Sequence, residues 1–134
     1  ADFGVAPGTA EVVMEEAVKR GLPFAPGIAT PSDIESALRF SMRILKFYPA
    51  EPMGGLKYLS SMAGPYRYLN LRFVPLGGVN IENLSEYLAS PVVPAVGGSW
   101  LAKRELIESR AWDKIRENAR KASTIAATLR STLS

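Results

Sequence analysis

Short apolar runs recur at a near-regular interval, at residues 3–6, 22–25, 44–48, 71–75 and 92–96, and each is closed by Pro or Gly. Between them lie segments with helical spacing, such as Ala10-Val13-Met14-Ala17-Val18 and Ile34-Ala37-Leu38, with Thr9, Ser32 and Asn80 as the residues expected to cap them. Apolar strands separated by single helices are the pattern of repeated βα units, whose crossovers force a parallel sheet with right-handed connections. Five such units fit the chain, with the runs as parallel neighbours in chain order, and a final helix is predicted over 112–133.

Two α/β architectures accept this pattern: a complete doubly wound sheet, or part of a (β/α)₈ barrel, whose full length of about 200 to 250 residues needs three more units. Periodicity leaves both open. In either, functional groups gather where strands end, which singles out Pro7-Gly8, Pro26-Gly27, residues 46–51, Leu76-Gly77-Gly78 and Gly97-Gly98-Ser99. The chain opens without an initiator Met on Ala1-Asp2-Phe3-Gly4-Val5, a strand already in progress, and reads as an incomplete chain.

Composition narrows the chemistry. With 47% hydrophobic and 22% charged residues and a mean hydropathy of +0.04, the 134 residues have the balance of one soluble globular domain. There is no Cys and no His, which removes thiol nucleophiles, disulfides, zinc sites of the Cys/His type and every triad that needs an imidazole. Catalysis must use Lys, carboxylates, hydroxyls or backbone amides, with no metal or cofactor expected. The net charge is +3, and residues 99–134 carry eight basic against four acidic side chains, a surplus of +4 that leaves −1 for the rest. A basic helix interrupted by acids and lacking interleaved aromatics reads as a solvated face, so no nucleic-acid partner is expected. No apolar run approaches the roughly 20 residues of a membrane span, and no signal-like segment is present, so no membrane partner and a cytoplasmic location are expected.

Within Arg43-Ile44-Leu45-Lys46-Phe47-Tyr48-Pro49 the side chains alternate, placing Ile44, Lys46 and Tyr48 on one face of a strand. Desolvation of Lys46 in this apolar run favours the neutral amine, the form that attacks ketones and aldehydes. The plainer alternative is a strand-end lysine whose stem packs while its head reaches water. Two Gly pairs, Gly77-Gly78 and Gly97-Gly98, follow separate strands and precede predicted helices. Glycine lets backbone approach an anion, and amides at a following helix N-terminus supply donors; the same pairs also suit simple tight turns. Glu51 stands close enough after Lys46 to assist proton transfer, or is a solvated loop acid or helix cap. Asp33 and Glu35 read as first-turn acids, and Ser60, Ser61 and the hydroxyls of 123–132 lack a base.

Several motifs carry a resemblance that covers nearly the whole chain, to about Ala122. These are Pro26-Gly27-Ile28-Ala29-Thr30-Pro31-Ser32, Leu45-Lys46-Phe47-Tyr48-Pro49-Ala50-Glu51, Ala63-Gly64-Pro65, Arg72-Phe73-Val74-Pro75-Leu76-Gly77-Gly78-Val79 and Val96-Gly97-Gly98-Ser99-Trp100. In this order they resemble the 2-keto-3-deoxy-6-phosphogluconate and 2-keto-4-hydroxyglutarate aldolase family. The resemblance implies a (β/α)₈ barrel, of which this chain is roughly the last three fifths, from the fourth strand to the eighth. It also implies a class I aldolase that cleaves a phosphorylated keto sugar acid to pyruvate and glyceraldehyde 3-phosphate, and a homotrimer.

By the same resemblance, Lys46 is the Schiff-base lysine, Pro7 and Tyr48 line the substrate pocket, and Gly77, Gly78 and Ser99 hold the phosphate. The family's acid/base glutamate and a phosphate-binding arginine come from its second strand, a segment with no counterpart here. Leu76, which by the resemblance adjoins the substrate, stands where the family commonly has Thr, whereas relatives acting on the galactonate epimer carry an apolar residue there. The alternatives are therefore an aldolase for that epimer or for 2-keto-4-hydroxyglutarate, or an inactive phosphate-binding fragment that needs the earlier units.

Overall fold

Alternation along Ile44-Leu45-Lys46-Phe47 sorts the side chains onto two faces, and burial follows the sorting. In the computed structural model, which describes residues 1–133, Leu45 and Phe47 are fully buried in a cluster with Ile34, Ala37 and Leu59, whereas Ile44 is 51% exposed and Lys46 is half-buried. The next strand repeats the division: Phe73 and Pro75 are buried and Arg72 is exposed. One face of the sheet is therefore covered by helices. Phe3, Val5 and Ile44 remain exposed although each lies in or beside a strand.

The strands are β1 (Gly4–Val5), β2 (Phe24–Ala25), β3 (Gly27–Ile28), β4 (Ile44–Phe47) and β5 (Arg72–Pro75). All pairings are parallel: β1 with β2, then β3 with β4 and β4 with β5. Only Pro26 separates β2 from β3, and its carbonyl accepts from the Lys46 amide at 2.8 Å. One extended segment thus serves two neighbours, and no strand is inserted out of chain order, as a doubly wound sheet would require. The sequence pattern had ended this run at residue 25; Gly27 and Ile28 belong to it as well.

The connecting helices are α1 (Glu11–Lys19), α2 (Pro31–Arg39), α3 (Gly55–Ala63), α4 (Leu84–Ala89), α5 (Arg104–Glu108) and α6 (Trp112–Leu133), with 3₁₀ turns at Gly64–Leu69 and Ser99–Ala102. The last helix has the expected bounds, and it lies against α4 and the second 3₁₀ turn. The caps differ from expectation. Thr30, not Ser32, opens α2, in a reciprocal capping box with Asp33. α1 begins after Ala10 without a side-chain cap, leaving Thr9 outside it. Asn80 closes a turn before α4, accepting from the amides of Glu82 and Asn83.

The expected fifth strand, 92–96, does not form among the described residues. Its backbone meets β5 only where the Phe73 amide donates to Val92 and the Gly97 amide to Pro75. The two intervening donor positions of a parallel ladder are Pro94 and Pro75, which have no N–H. The segment lies beside β5 without becoming a strand.

Gly27 sets how closely the end of β1 approaches this sheet. A Cβ there would lie 2.1 Å from the Pro7 carbonyl oxygen, and the Gly27 amide donates to Gly8 at 3.2 Å. Because the obstruction is backbone, it cannot swing aside. Gly27→Ala should destabilise the fold by about 1–3 kcal/mol, whereas Gly8→Ala, with open space around its Cα, should change stability by no more than about 0.5 kcal/mol. Urea midpoints of the two variants measure the difference; equal midpoints would rule out this close approach.

Candidate active site

Lys46 occupies the middle of β4, in register with Gly27 on one side and Val74 on the other. A position paired on both sides has little backbone freedom, so the amine is presented by the most rigid part of the sheet. Its Nζ lies 4.6 Å from the centroid of the Tyr48 ring, two residues on and on the same face, within cation–π range. Behind the strand, Phe47 stacks on Tyr58 of α3, whose hydroxyl donates to the Ala29 carbonyl at 2.7 Å. Pro7 is brought near through Gly27, whose Cα faces the Pro7 carbonyl and whose register partner is Lys46.

Past the strand ends, the two loops continue to bind each other. The Leu76 amide donates to Phe47, the Ala50 amide to Leu76 and the Glu51 amide to Gly77, at 2.8–3.0 Å. Gly77 has φ +91°, and a Cβ there would sit 3.1 Å from the Tyr48 ring and from Pro49. Leu76 in turn faces Gly97, whose Cβ would lie 3.0 Å from the leucine side chain. A Cβ on Gly98 would meet the Val79 carbonyl and overlap the Trp100 ring. The two Gly pairs therefore form one rim, reached from the Lys46 strand through Tyr48, with Ser99 exposed next to Gly98.

This rim is rich in unused donors. Among the described residues the amides of Gly77, Gly78, Val79, Gly98 and Ser99 have no protein acceptor. In the 77–78 peptide the carbonyl accepts from Glu51, so its N–H, on Gly78, points away from the 49–51 turn. The Gly78 carbonyl accepts from the side chains of Asn80 and Asn83 at 3.4 and 3.3 Å, which turns the Val79 amide away from the asparagines. The expected helix N-termini are not what supplies these donors. α4 starts six residues after Gly78, and Ser99 opens a 3₁₀ turn of only four residues.

The carboxylates separate by partner. Asp33 accepts from the Ala29 and Thr30 amides and the Thr30 hydroxyl, and Glu35 from the Tyr66 hydroxyl, so both support α2 and its surroundings. Glu51 accepts a short hydrogen bond from the hydroxyl of Tyr87, a residue of α4 that is 2% exposed. Burial, and after it the adjoining Glu51 carboxylate, push the Tyr87 phenol well above its usual range, so it remains a neutral donor. Sequence reasoning did not find Tyr87. The available signal was general: a tyrosine on the apolar side of a helix needs a partner for its hydroxyl. A Cβ on Gly78 would lie 2.5 Å from the Glu51 Cβ, so the missing side chain makes room for Glu51 rather than for an approaching anion.

No three His, Cys, Asp or Glu side chains are grouped to hold a metal among the described residues, and no described helix is long and apolar enough to cross a membrane.

The comparisons agree on one family. The family model for KDPG and KHG aldolase matches residues 1–118. A 2-dehydro-3-deoxy-phosphogluconate aldolase of Dickeya dadantii is 39% identical over 91% of this chain and 56% of its own length. A KDPG aldolase from Legionella pneumophila, solved with pyruvate captured at low pH as a covalent carbinolamine intermediate, superposes with a TM-score of 0.80 at 31% identity, over 95% of this chain and 58% of that one. The 2-keto-3-deoxy-6-phosphogluconate aldolase of Zymomonas mobilis, solved with 3-phosphoglycerate, gives 0.81 at 34% identity, over 93% and 57%. The chain thus spans little more than half the length of these relatives, and the architecture it shares with them is that of a TIM-barrel-like α/β fold. On the family model's match over residues 1–118, with the motif order and the parallel βα units in agreement, this chain belongs to the KDPG and KHG aldolase family.

Proposed function

We propose that this chain carries the Schiff-base and phosphate-binding portion of a class I aldolase that cleaves 2-keto-3-deoxy-6-phosphogluconate to pyruvate and glyceraldehyde 3-phosphate. The observation that carries the reading is the position of Lys46: mid-strand, half-buried, its Nζ against the Tyr48 ring and below a loop rim of free amides. The pyruvate adduct of the Legionella relative and the phosphoglycerate of the Zymomonas relative support the two ligand classes. The finer architecture belongs to the same proposal. The chain corresponds to the fourth to eighth βα units of a barrel, and the earlier units in the family's order cover the face on which Ile44 is exposed.

In this mechanism neutral Nζ of Lys46 adds to the C2 ketone, and loss of water from the carbinolamine leaves a cationic iminium. The C4 hydroxyl gives up its proton to a base, the C3–C4 electron pair flows into the iminium, and the aldehyde departs. The enamine left behind takes a proton at C3, and hydrolysis releases pyruvate and regenerates the lysine. The Tyr48 face stabilises positive charge near Nζ. Pro7 and Leu76 bound the keto-acid chain, and the amides of Gly77 and Gly78 with the Ser99 amide and hydroxyl receive the phosphate. A second reading, an aldolase tolerant of the galactonate epimer, is favoured by Leu76, whose side chain meets Gly97 and offers no hydrogen bond to the C4 hydroxyl.

Three outcomes are expected. Pyruvate with borohydride adds a single reduced adduct at Lys46, seen by peptide mass analysis, and Lys46→Arg abolishes it because a guanidinium stays protonated; an adduct elsewhere or none would sink the nucleophile assignment. Inorganic phosphate shifts the backbone amide resonances of Gly77, Gly78 and Ser99 before others, and unmoved resonances would remove the phosphate assignment. With a complete barrel, kcat/KM for the gluconate and galactonate epimers differs by no more than the about 1–3 kcal/mol that an apolar wall provides, and stronger selectivity would mean that another residue reads C4.

A further inference from the structure

The motif after Lys46 continues through Glu51 to Gly54-Gly55, and neither the carboxylate nor this third glycine pair is used by the mechanism above. Both find a role around Tyr87. The Glu51 carboxylate accepts from the Tyr87 hydroxyl, and the Glu51 amide donates to the Gly77 carbonyl at 3.0 Å. The stem of Glu51 fills the space a Gly78 side chain would need. Gly55, with φ +61°, lies at the same point: a Cβ there would be 3.1 Å from Glu51 Oε1 and 3.3 Å from the Tyr87 hydroxyl. One residue therefore touches the Gly77-Gly78 loop with its backbone and stem and reaches α4 with its head.

We propose that Tyr87 and Glu51 form a positioning pair that holds the Gly77-Gly78 loop in the shape that accepts an anion, and that Glu51 is not a proton carrier. The pair works through geometry. Tyr87 is anchored in the core, among the largest fully buried side chains. Its hydroxyl locks the Glu51 side chain, and Glu51 fixes the 77–78 peptide with the carbonyl toward itself and the Gly78 amide outward. Without the lock, the half-exposed turn and a loop of two left-handed glycines are free to sample other conformations, since glycine meets little resistance in doing so. The inference rests on the reading of Gly77 and Gly78 as phosphate ligands, and not on that of Lys46.

Phosphate affinity and adduct formation separate the possibilities. Inorganic phosphate is titrated calorimetrically into the wild-type chain, Tyr87→Phe and Glu51→Gln, and each protein is also treated with pyruvate and borohydride. Tyr87→Phe, which removes one oxygen atom, should bind phosphate about tenfold more weakly, the scale of one lost hydrogen bond to a charged acceptor, with the Lys46 adduct unchanged. Glu51→Gln should match or exceed the wild-type affinity, because the amide oxygen still accepts from Tyr87 and a negative charge near the anion is gone. A Tyr87→Phe protein with a lowered melting temperature and unaltered phosphate affinity would reduce the pair to a stability element and overturn the proposal. So would loss of the adduct in Glu51→Gln alone, which would make Glu51 a proton-transfer group. A wild-type chain that binds no phosphate overturns both this inference and the phosphate assignment. One that binds phosphate but forms no adduct overturns only the role of Lys46.

Discussion

The β4–β5 ladder does not stop where the strands stop, and the whole site depends on that continuation. Past Phe47 and Pro75 the two chains exchange three more hydrogen bonds: Leu76 to Phe47, Ala50 to Leu76 and Glu51 to Gly77. Two loops that would otherwise be surface connections therefore inherit the rigidity of the sheet. These bonds tie the 47–51 and 76–77 segments together, and the spacing between a lysine on one strand and the amides beyond the next follows from that backbone pairing together with the side-chain contacts around Glu51.

Glycine makes this lacing possible. Gly77 and Gly78 have φ of +91° and +88°, a region that L side chains rarely adopt, and both lie against side chains of the neighbouring turn. Gly27 performs the parallel task at the other edge, where it admits the Pro7 backbone beside the lysine strand. The donors left without a protein acceptor at this rim are main-chain amides, and such groups depend on close approach more than on particular side chains. Bulk enters where it supports rather than contacts, as in Phe47 stacked on Tyr58 and Tyr87 bonded to Glu51.

Much of this was legible in the residues. The 2-residue alternation around Lys46 assigned faces that burial reproduces, with Leu45 and Phe47 inside and Ile44 outside, because a strand's pleat leaves a side chain no other choice. The spacing of 112–133 marked the last helix, and the ordered motifs pointed to the aldolase family. Local rules did worse at edges. Ser32 and Thr9 are as good as Thr30 on capping propensity, and which of them caps depends on where the preceding strand releases the chain. Residues 92–96 look like a strand by composition, yet the donors missing at Pro94 and at Pro75 of the facing strand belong to two segments that only meet in space.

Pattern therefore carried the order of the elements and the two faces of the Lys46 strand, which arise from interactions within a few residues, while the resemblance of the motifs, and not the strand pattern, singled out Lys46 as the nucleophile candidate. Partnerships across the chain were settled by folding. Glu51 was open to three roles until α4 brought Tyr87, 36 positions away, within a hydrogen bond of it. Gly78 suggested an anion's approach and instead admits Glu51, while its amide is turned outward by a peptide that Glu51 itself holds. A residue's chemistry is written in its type, but whether that chemistry is spent on a neighbour or left free depends on which distant atoms desolvate and bond it.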